Sequence, residues 1–134
     1  MTENDIPWLY DICTRRYSRK YDPISTELWF RNKVLKEPLW FLPQRTPGAF
    51  CISTLSVLAW LPTEFHCNVA FICADDGCGW EALRLLRASI AWSHSRKCKT
   101  WAVASDTPTD LKQLALRIGA TEIYPRYVIE HHYG

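Results

Sequence analysis

The stretch that decides the fold is FHCNVAFICADDGCG, from Phe65 to Gly79, together with the run WEALRLLRASIAWSHSRK that follows it from Trp80 to Lys97. An apolar segment stops at two acidic residues, a glycine-spaced turn follows, and a long amphipathic pattern begins at Gly79. This order predicts a strand, a tight turn and a helix. The first N–H groups of such a helix have no intrahelical partner, so they concentrate partial positive charge at one point. The sequence therefore predicts a site for a phosphate-like group at this turn.

The two common nucleotide-binding motifs fit this turn badly. No Lys-Ser or Lys-Thr pair comes directly after Gly79, which excludes a Walker P-loop. The single glycine pair Gly77-x-Gly79 is also a weak match to a dinucleotide fingerprint.

Composition limits the class of protein. The chain has 134 residues, of which 48% are hydrophobic and 13% aromatic, and we expect a single domain over residues 1–134 that is folded rather than disordered. A formal net charge of +2 does not indicate a nucleic-acid partner. The longest uncharged run, Thr46 to Thr63, is too polar for a membrane span, and the start MTENDIPW lacks the features of a signal peptide. The expectations are therefore no membrane association and a cytoplasmic location.

Six cysteines are scattered along the chain without a Cys-x-x-Cys pair, and we expect reduced thiols rather than disulfides. A zinc site could be drawn from Cys73, Cys78, His94 and Cys98. A helix over residues 80–94 would be roughly 22 Å long and would hold the two ligand pairs at its opposite ends. The prediction is no metal site.

The hydrophobic period predicts an α/β (α+β) fold in which a mixed, mostly antiparallel sheet is flanked by helices. Turns are expected at Pro43 to Gly48 and at Leu61 to Glu64. The first predicted helix is capped by Asp5, and Asp22-Pro23 breaks its basic end. A second helix runs from Ser25 or Thr26 to Leu35, and three strands follow it, Leu39–Leu42, Ala49–Trp60 and Phe65–Ala74. The remaining predicted elements are a helix Gly79–Lys97, a strand Thr100–Ser105, a helix from about Thr109 to Ile118 closed by Gly119, and a strand Glu122–His132 interrupted near Pro125.

This order of elements resembles the GNAT superfamily of acyl-CoA N-acyltransferases over nearly the whole chain. In that family the amides of a turn of form Arg/Gln-x-x-Gly-x-Gly/Ala bind the coenzyme A pyrophosphate. The matching positions here run from Ala74 to Gly79, and LALRIGATEIY looks like the family's last helix, glycine and final strands. The family's first strand is nearly absent, since only Met1 to Asn4 precede the first helix. The resemblance implies that acetyl-CoA is held by the following positions: Cys73, Ala74, Gly77, Cys78, Gly79 and Trp80.

The chain departs from the family pattern in three respects. Ala74 stands where the turn has Arg or Gln, and Ala115 stands where many members place a tyrosine as general acid to the leaving thiolate. Asp75 and Asp76 bring two negative charges to a point that a pyrophosphate should approach. Alternatively, Asp76 is an N-cap whose side chain satisfies the helix amides. We expect weak or absent acetyl-CoA binding on these grounds.

Candidate catalytic residues are Glu64, His66 and Tyr124. Glu64 and His66 flank the start of the third strand, where the family sometimes carries a base, and an imidazole suits deprotonation of an amine at neutral pH. The alternative is that both lie in a solvated turn. Tyr124 could reach the cleft from the last strands, although strand aromatic residues more often pack. The basic residues of the long helix, Arg84, Arg87, His94, Arg96 and Lys97, could hold a coenzyme 3′-phosphate, although a solvated face is the simpler interpretation.

Two functions remain open from the sequence. The first is an acyl-CoA-dependent N-acetyltransferase in which an amine substrate attacks the thioester directly. The second is a degenerate GNAT-fold structural or interaction protein, and a general likeness to small bacteriophage proteins would make it a virion component in the host cytoplasm or the virion. Seven tryptophans in so short a chain favour a protein partner. Fold alone does not decide between these functions.

Overall fold

A computed structural model of the chain describes residues 1–17, 21–105 and 111–133. The helices are α1 (Ile6–Tyr17), α2 (Pro23–Trp29), α3 (Gly79–Ser95) and α4 (Lys112–Ile118), with a 3-10 turn at Glu3–Asp5 and a π-helical turn at Phe30–Val34. The strands are β1 (Phe41–Thr46), β2 (Ala49–Leu58), β3 (Leu61–Ala74), β4 (Thr100–Ala104), β5 (Thr121–Ile123) and β6 (Arg126–Glu130).

The six strands form one sheet in the order β1-β2-β3-β4-β6-β5. The pair β3 and β4 is parallel, and the other neighbours are antiparallel. Helix α3 makes the crossover between the two parallel strands. The predicted mixed, mostly antiparallel sheet flanked by helices is therefore confirmed.

Each face of the sheet carries its own hydrophobic core. One core lies beneath α3 and α4 and is centred on Trp101, Ile72 and Leu86. The other lies beneath α1 and α2 and contains Phe50 and Phe30. Alternating side chains of β2 and β3 supply both cores, as the period of two requires.

Both early helices start differently from the sequence prediction. Thr2 begins the first turn as part of a capping box, in which its N–H donates to the Asp5 carboxylate over 2.8 Å. Helix α1 ends at Tyr17 among the described residues, and Asp22 and Pro23 start α2, with Asp22 as N-cap and Pro23 at the first turn. The predicted start at Ser25 or Thr26 was therefore two to three residues late. The basic end of the first predicted helix includes residues 18–20, outside the described residues.

The predicted turn at Pro43 to Gly48 was mostly wrong, because β1 runs to Thr46 and Pro43 pairs with Ile52 inside it. Proline is tolerated there because β1 is an edge strand, where a missing N–H breaks no second ladder. The predicted turn at Leu61 to Glu64 was also wrong. Leu58 pairs with Leu61, so the hairpin turns over two residues and β3 starts at Leu61.

The start of α3 at Gly79 and the C-terminal glycine of α4, Gly119 with φ of 76°, confirm the sequence prediction. The predicted start of α4 near Thr109 falls outside the described residues. The predicted last strand is two strands, because Tyr124 and Pro125 form the turn of a β5–β6 hairpin. No helix in the described part of the chain is long and apolar enough to cross a membrane.

Candidate coenzyme and acyl-transfer site

The predicted phosphate turn joins β3 to α3 in a fixed conformation. The N–H of Asp75 donates to the carbonyl of Gly48 over 2.8 Å, and the N–H of Cys78 donates to the carbonyl of Asp75 over 3.0 Å. Gly77 has φ of 78°, in the left-handed region where a side chain is disfavoured. The turn is therefore closed by its own backbone and needs glycine at position 77.

Several amides of this turn are available to a ligand. The N–H groups of Glu81 and Ala82 donate to the carbonyl of Cys78. The N–H groups of Gly77, Gly79 and Trp80 make no hydrogen bond within the described part of the chain. Free amides at the start of a 17-residue helix, together with the helix dipole, favour an anion.

The two aspartates of the turn do not cap the helix. The Asp75 carboxylate accepts from Arg15 Nη2 at 2.9 and 3.1 Å, and the Asp76 carboxylate accepts from Arg16 Nη1 at 2.7 Å. Cys78 occupies the N-cap position, and in the described residues no side chain caps α3. The N-cap interpretation of Asp76 was therefore wrong. Because each carboxylate has an arginine partner, the repulsion that was one ground for weak coenzyme binding is reduced, whereas the missing polar side chain at Ala74 remains.

The turn is braced from the β1–β2 hairpin. The N–H of Gly48 donates to Glu81 Oε1 over 3.0 Å, and a Cβ on Gly48 would lie 2.3 Å from Cys78 Sγ. Hydrogen bonds from Thr46, Cys78 and Gly48 hold the pKa of Glu81 below its usual range. The hydrogen bond between Cys78 and Glu81 raises the pKa of the Cys78 thiol. Glu81 and glycine at position 48 therefore fix the hairpin against the helix start.

A cavity of about 270 Å³ opens beside the turn. Gly77, Gly79 and Trp80 line one side, and Gln113 and Arg117 of α4 line the other. The Trp80 ring is 66% exposed, with the Arg117 guanidinium 4.7 Å from its centroid. The cavity thus offers a flat aromatic ring and a cation next to the free amides.

The sheet opens directly behind this turn. Strands β3 and β4 pair only from His66–Thr100 to Val69–Val103 within the described residues. On the other side of β3, Ile52 pairs with Phe71 and Ser53 pairs with Val69, which leaves Ala70 as an unpaired, exposed bulge residue. A bulge bends its strand and ends regular pairing. The gap between β3 and β4 therefore begins at Ala70 and leads to the phosphate turn.

The predicted catalytic residues do not lie together in this gap. Tyr124 is 86% exposed in the β5–β6 turn, next to the end of β4, because the N–H of Ser105 donates to the carbonyl of Pro125. Glu64 and His66 lie outside the gap, near the start of β3, where His66 pairs with Thr100 of β4. At about 3.3 Å per residue, Ala70 is about 13 Å from Ala74 along the strand, and His66 is about 26 Å away.

Glu64 and His66 do form a polar cluster. His66 Nδ1 lies 2.8 Å from Thr100 Oγ1, and His66 Nε2 lies 3.7 Å from Glu64 Oε1. Lys99 Nζ lies 3.1 Å from the same Glu64 oxygen. His66 Nε2 is buried and has no hydrogen-bond partner among the described residues. The two residues therefore lie together, though not in the solvated turn that was the alternative.

The remaining predicted positions divide between backbone and side-chain roles. Cys73 is fully buried, and burial raises the pKa of its thiol to about 11, so only its main chain can face a ligand. Ala74 offers no polar side chain, and Ala115 is buried under α3. All six cysteines are free thiols. The described residues contain no group of three or more side chains suited to a metal ion.

The basic residues of α3 do not form one surface at the turn. Arg96 lies 5.5 Å from the Trp92 ring, and the Lys97 ammonium lies 5.0 Å from the Tyr133 ring, both at the far end of the helix. His94 packs against His131 and Tyr133 there. A 3′-phosphate at the helix start would therefore meet none of these three.

Known structures share this fold. One chain of the NatC complex bound to Gag peptide and CoA superposes with a TM-score of 0.69 at 10% identity, covering 98% of this chain and 93% of that one. The ribosomal-protein-alanine N-acetyltransferase from Brucella melitensis superposes with a TM-score of 0.64 at 11% identity, covering 96% of this chain and 94% of that one. The chain has the GNAT fold. No protein-family model and no curated protein matches its sequence.

Sequence reasoning treated Arg15 and Arg16 only as part of the basic end of the first helix and missed their contacts with the turn, and it missed the bulge at Ala70. The signal for the first was a doublet of basic residues matching the acidic doublet Asp75-Asp76. Nothing in the sequence around Ala70 distinguishes a bulge from regular strand.

Proposed function

We propose that this protein is an acyl-CoA-dependent N-acyltransferase. The observation that carries the proposal is the continuous path from the free amides at Gly77 to Trp80, along the end of β3, to the gap that opens at Ala70. The amides bind the coenzyme diphosphate, and the acyl arm lies between the separated strands. Main-chain groups near Cys73 and Ala74 polarise the thioester carbonyl.

The reaction needs few side chains. The amine nitrogen attacks the thioester carbon, the new N–C bond forms, and the C–S bond then breaks. The thiolate leaves, and the proton lost by the amine ultimately protonates it. Ala115 supplies no general acid, and such an acid contributes typically 10²–10⁴-fold. We therefore expect a slow enzyme rather than an inactive one.

Glu64 and His66 suit a proton relay that removes the proton of the acceptor amine. His66 lies about 13 Å beyond Ala70 along β3, so it acts through water rather than by direct contact. Tyr124 lies beside the end of β4, where the gap begins, and its exposed ring contacts the incoming acceptor. The three predicted catalytic residues thus take separate roles.

The acceptor we propose is the α-amine of a peptide. One structural neighbour is bound to a peptide together with CoA, and the other is named for a protein substrate. At 10–11% identity these neighbours establish the fold alone, so the acceptor rests on analogy.

The test is acetyl transfer from acetyl-CoA to a set of short peptides that differ in their first residues, followed by mass spectrometry. The matched control is each peptide with a blocked N-terminus and a free lysine. Product on the free peptides alone supports α-amine transfer. Product on neither set, with no binding of acetyl-CoA by calorimetry, would contradict the proposal.

A second candidate is the interaction protein without catalysis. Ala115 favours it, and so does the apolar surface at the β2–β3 hairpin, where Trp60 is 75% exposed. In this case the partner is another protein, and neither structural neighbour is named as a virion protein. A protein that binds neither acetyl-CoA nor coenzyme A would favour this candidate.

A further inference from the structure

We infer that Arg15 and Arg16 of α1 bind the diphosphate of the coenzyme directly, in addition to pairing with Asp75 and Asp76. The inference rests on the proposed function for the identity of the ligand. It assigns a binding role to a helix that contributes no residue to the amides of the turn.

The first step is that both guanidinium groups are already held at the turn. Arg15 reaches both oxygens of Asp75 through Nη2, and Arg16 reaches Asp76 through Nη1 at 2.7 Å. Asp76 immediately precedes Gly77, whose N–H is free in the described residues. The two arginines are therefore anchored one and two residues before Gly77, the first of the amides that face an anion.

The second step is that most of their donors remain unused. A guanidinium has five N–H donors. The contacts with the turn occupy one nitrogen of Arg15 and one of Arg16, and among the described residues the other nitrogens make no hydrogen bond. Arg16 Nε is buried and unpartnered. Since unpaired buried donors are costly, this arrangement is better explained by a ligand that completes it.

The third step is chemical fit. The planar guanidinium fork matches phosphate oxygens and can bridge a carboxylate and a phosphate at the same time. Ala74 contributes no polar side chain to the turn, so the two arginines supply the cations that ion pairs hold at Asp75 and Asp76, in addition to Arg117 over the Trp80 ring. The aspartates then act as anchors that hold the forks in place, rather than as charges that repel the ligand.

The experiment separates two roles of the arginines, which are to neutralise the charges of Asp75 and Asp76 and to contact the diphosphate directly. We would measure the Kd of acetyl-CoA and of inorganic pyrophosphate for wild type, Arg15→Gln with Arg16→Gln, Asp75→Asn with Asp76→Asn, and all four changes together. The expected result is about tenfold or more weaker binding of both ligands by the arginine variant, the loss typical of charge-assisted hydrogen bonds. The four-change variant should remain weaker than wild type. If the arginines only neutralise the aspartates, the four-change variant will bind like wild type, which overturns the inference.

Three controls keep the outcomes separate. Arg31→Gln removes an arginine paired with Glu3 and Glu27, away from the turn, and should leave both Kd values unchanged. S-acetylpantetheine, which lacks the diphosphate, should bind equally to wild type and the arginine variant. If the glutamine variant fails to fold, the variant Arg15→Lys with Arg16→Lys keeps the positive charges but loses the planar guanidinium fork. Unchanged binding by that variant overturns the inference that the guanidinium groups contact the diphosphate directly.

The same variants separate this inference from the proposed function. Wild type that binds pyrophosphate through the arginines but not acetyl-CoA would retain the diphosphate site and end the transferase proposal. Wild type that binds acetyl-CoA, with an arginine variant that binds it equally well, would end the inference and retain the transferase. Wild type that binds neither ligand would overturn both. In an active enzyme the arginine variant should raise KM with little change in kcat, because the contact is made equally in ground and transition states.

Discussion

Among individual residues, the buried polar network beneath α3 shows how the open sheet is held together. Ser89 Oγ accepts from Trp101 Nε1 over 2.8 Å and lies 2.6 Å from Ser53 Oγ. All three side chains are fully buried. The network joins β2, α3 and β4, so it spans the two strands on either side of β3.

Replacing Ser89 with alanine should destabilise the fold by about 1–3 kcal/mol, because it leaves a buried indole N–H and a buried hydroxyl without that partner. The measurement is the free energy of unfolding from urea titration. Ser95→Ala is the matched control, since its hydroxyl donates to the Trp92 carbonyl at an exposed position. Equal effects of the two substitutions would contradict the argument.

Glu81 makes the hairpin contact depend on pH. Its folded pKa is lowered from 4.5 by the hydrogen bonds that it accepts from Thr46, Cys78 and Gly48. A lowered folded pKa contributes stability that is present above pH 4.5 and lost as the pH falls through the folded value. Wild type should therefore lose more stability than Glu81→Gln between about pH 5 and the acid limit.

The measurement is urea unfolding at a series of pH values, with Glu130→Gln on the exposed end of β6 as the control. Parallel stability curves for wild type and Glu81→Gln would show that the contact contributes no pH dependence. The curve of stability against pH for Glu130→Gln should follow the curve of wild type.

Among the helices and strands, β3 carries most of what the site needs, and the sequence predicts only part of it. The apolar run, the glycines and the start of α3 follow from residue types and period, and the structure confirms them. The bulge at Ala70 and the extension to Leu61 depend on pairing with β2. Pairing is a property of two strands together, so the composition of one strand does not reveal it.

Blocking the gap at Ala70 should separate catalysis from folding. Ala70 is exposed and lies outside the ladder with β2, so a large side chain there fills the space proposed for the acyl arm. We expect Ala70→Trp to reduce transfer by at least about 100-fold, the loss that a misplacement of about 1 Å already causes in acyl-transfer geometry. Stability should change by less than about 0.5 kcal/mol, as for other surface substitutions.

Initial rates with acetyl-CoA and a peptide acceptor, together with thermal unfolding, provide the measurement. Thr63→Trp places the same side chain at an exposed position near the start of β3, away from the gap, and should leave the rate unchanged. An active Ala70→Trp variant would place the acyl arm elsewhere.

For the molecule as a whole, the sequence predicted the order of elements but not the contacts between distant ones. Arg15 and Asp75 are 60 residues apart, and only the docking of α1 on β3 brings them together. Helix α1 was assigned correctly from its period, while its partner strand was not identified. Long-range ion pairs follow from the packing of whole helices and strands. A doublet of charged residues in the sequence therefore indicates that oppositely charged partners exist, but it does not identify which residues they are.

The β2–β3 hairpin end gives the molecule an exposed apolar surface on the side away from the phosphate turn. Leu39 is 67% exposed, Trp60 is 75% exposed, and the Trp40 ring contacts the Phe65 ring at 6.0 Å between centroids. A cavity of about 300 Å³ lies between Trp40, Phe65 and Arg96. A covered tryptophan buries about 150–250 Å², and monomers rarely leave several such residues together in solvent.

In the purified protein, with no partner present, this surface should cause association that depends on concentration. Trp40→Ser combined with Trp60→Ser should reduce the association measured by sedimentation velocity, because the apolar area available for contact falls. Ile24→Ser on α2 is the matched control, since Ile24 is 73% exposed on a different surface. Acetyl-CoA binding should be unchanged in the tryptophan variant, because the hairpin lies at the opposite end of β3 from the turn. If wild type is monomeric at every concentration, the surface does not drive association between copies, and its exposed tryptophans need another explanation.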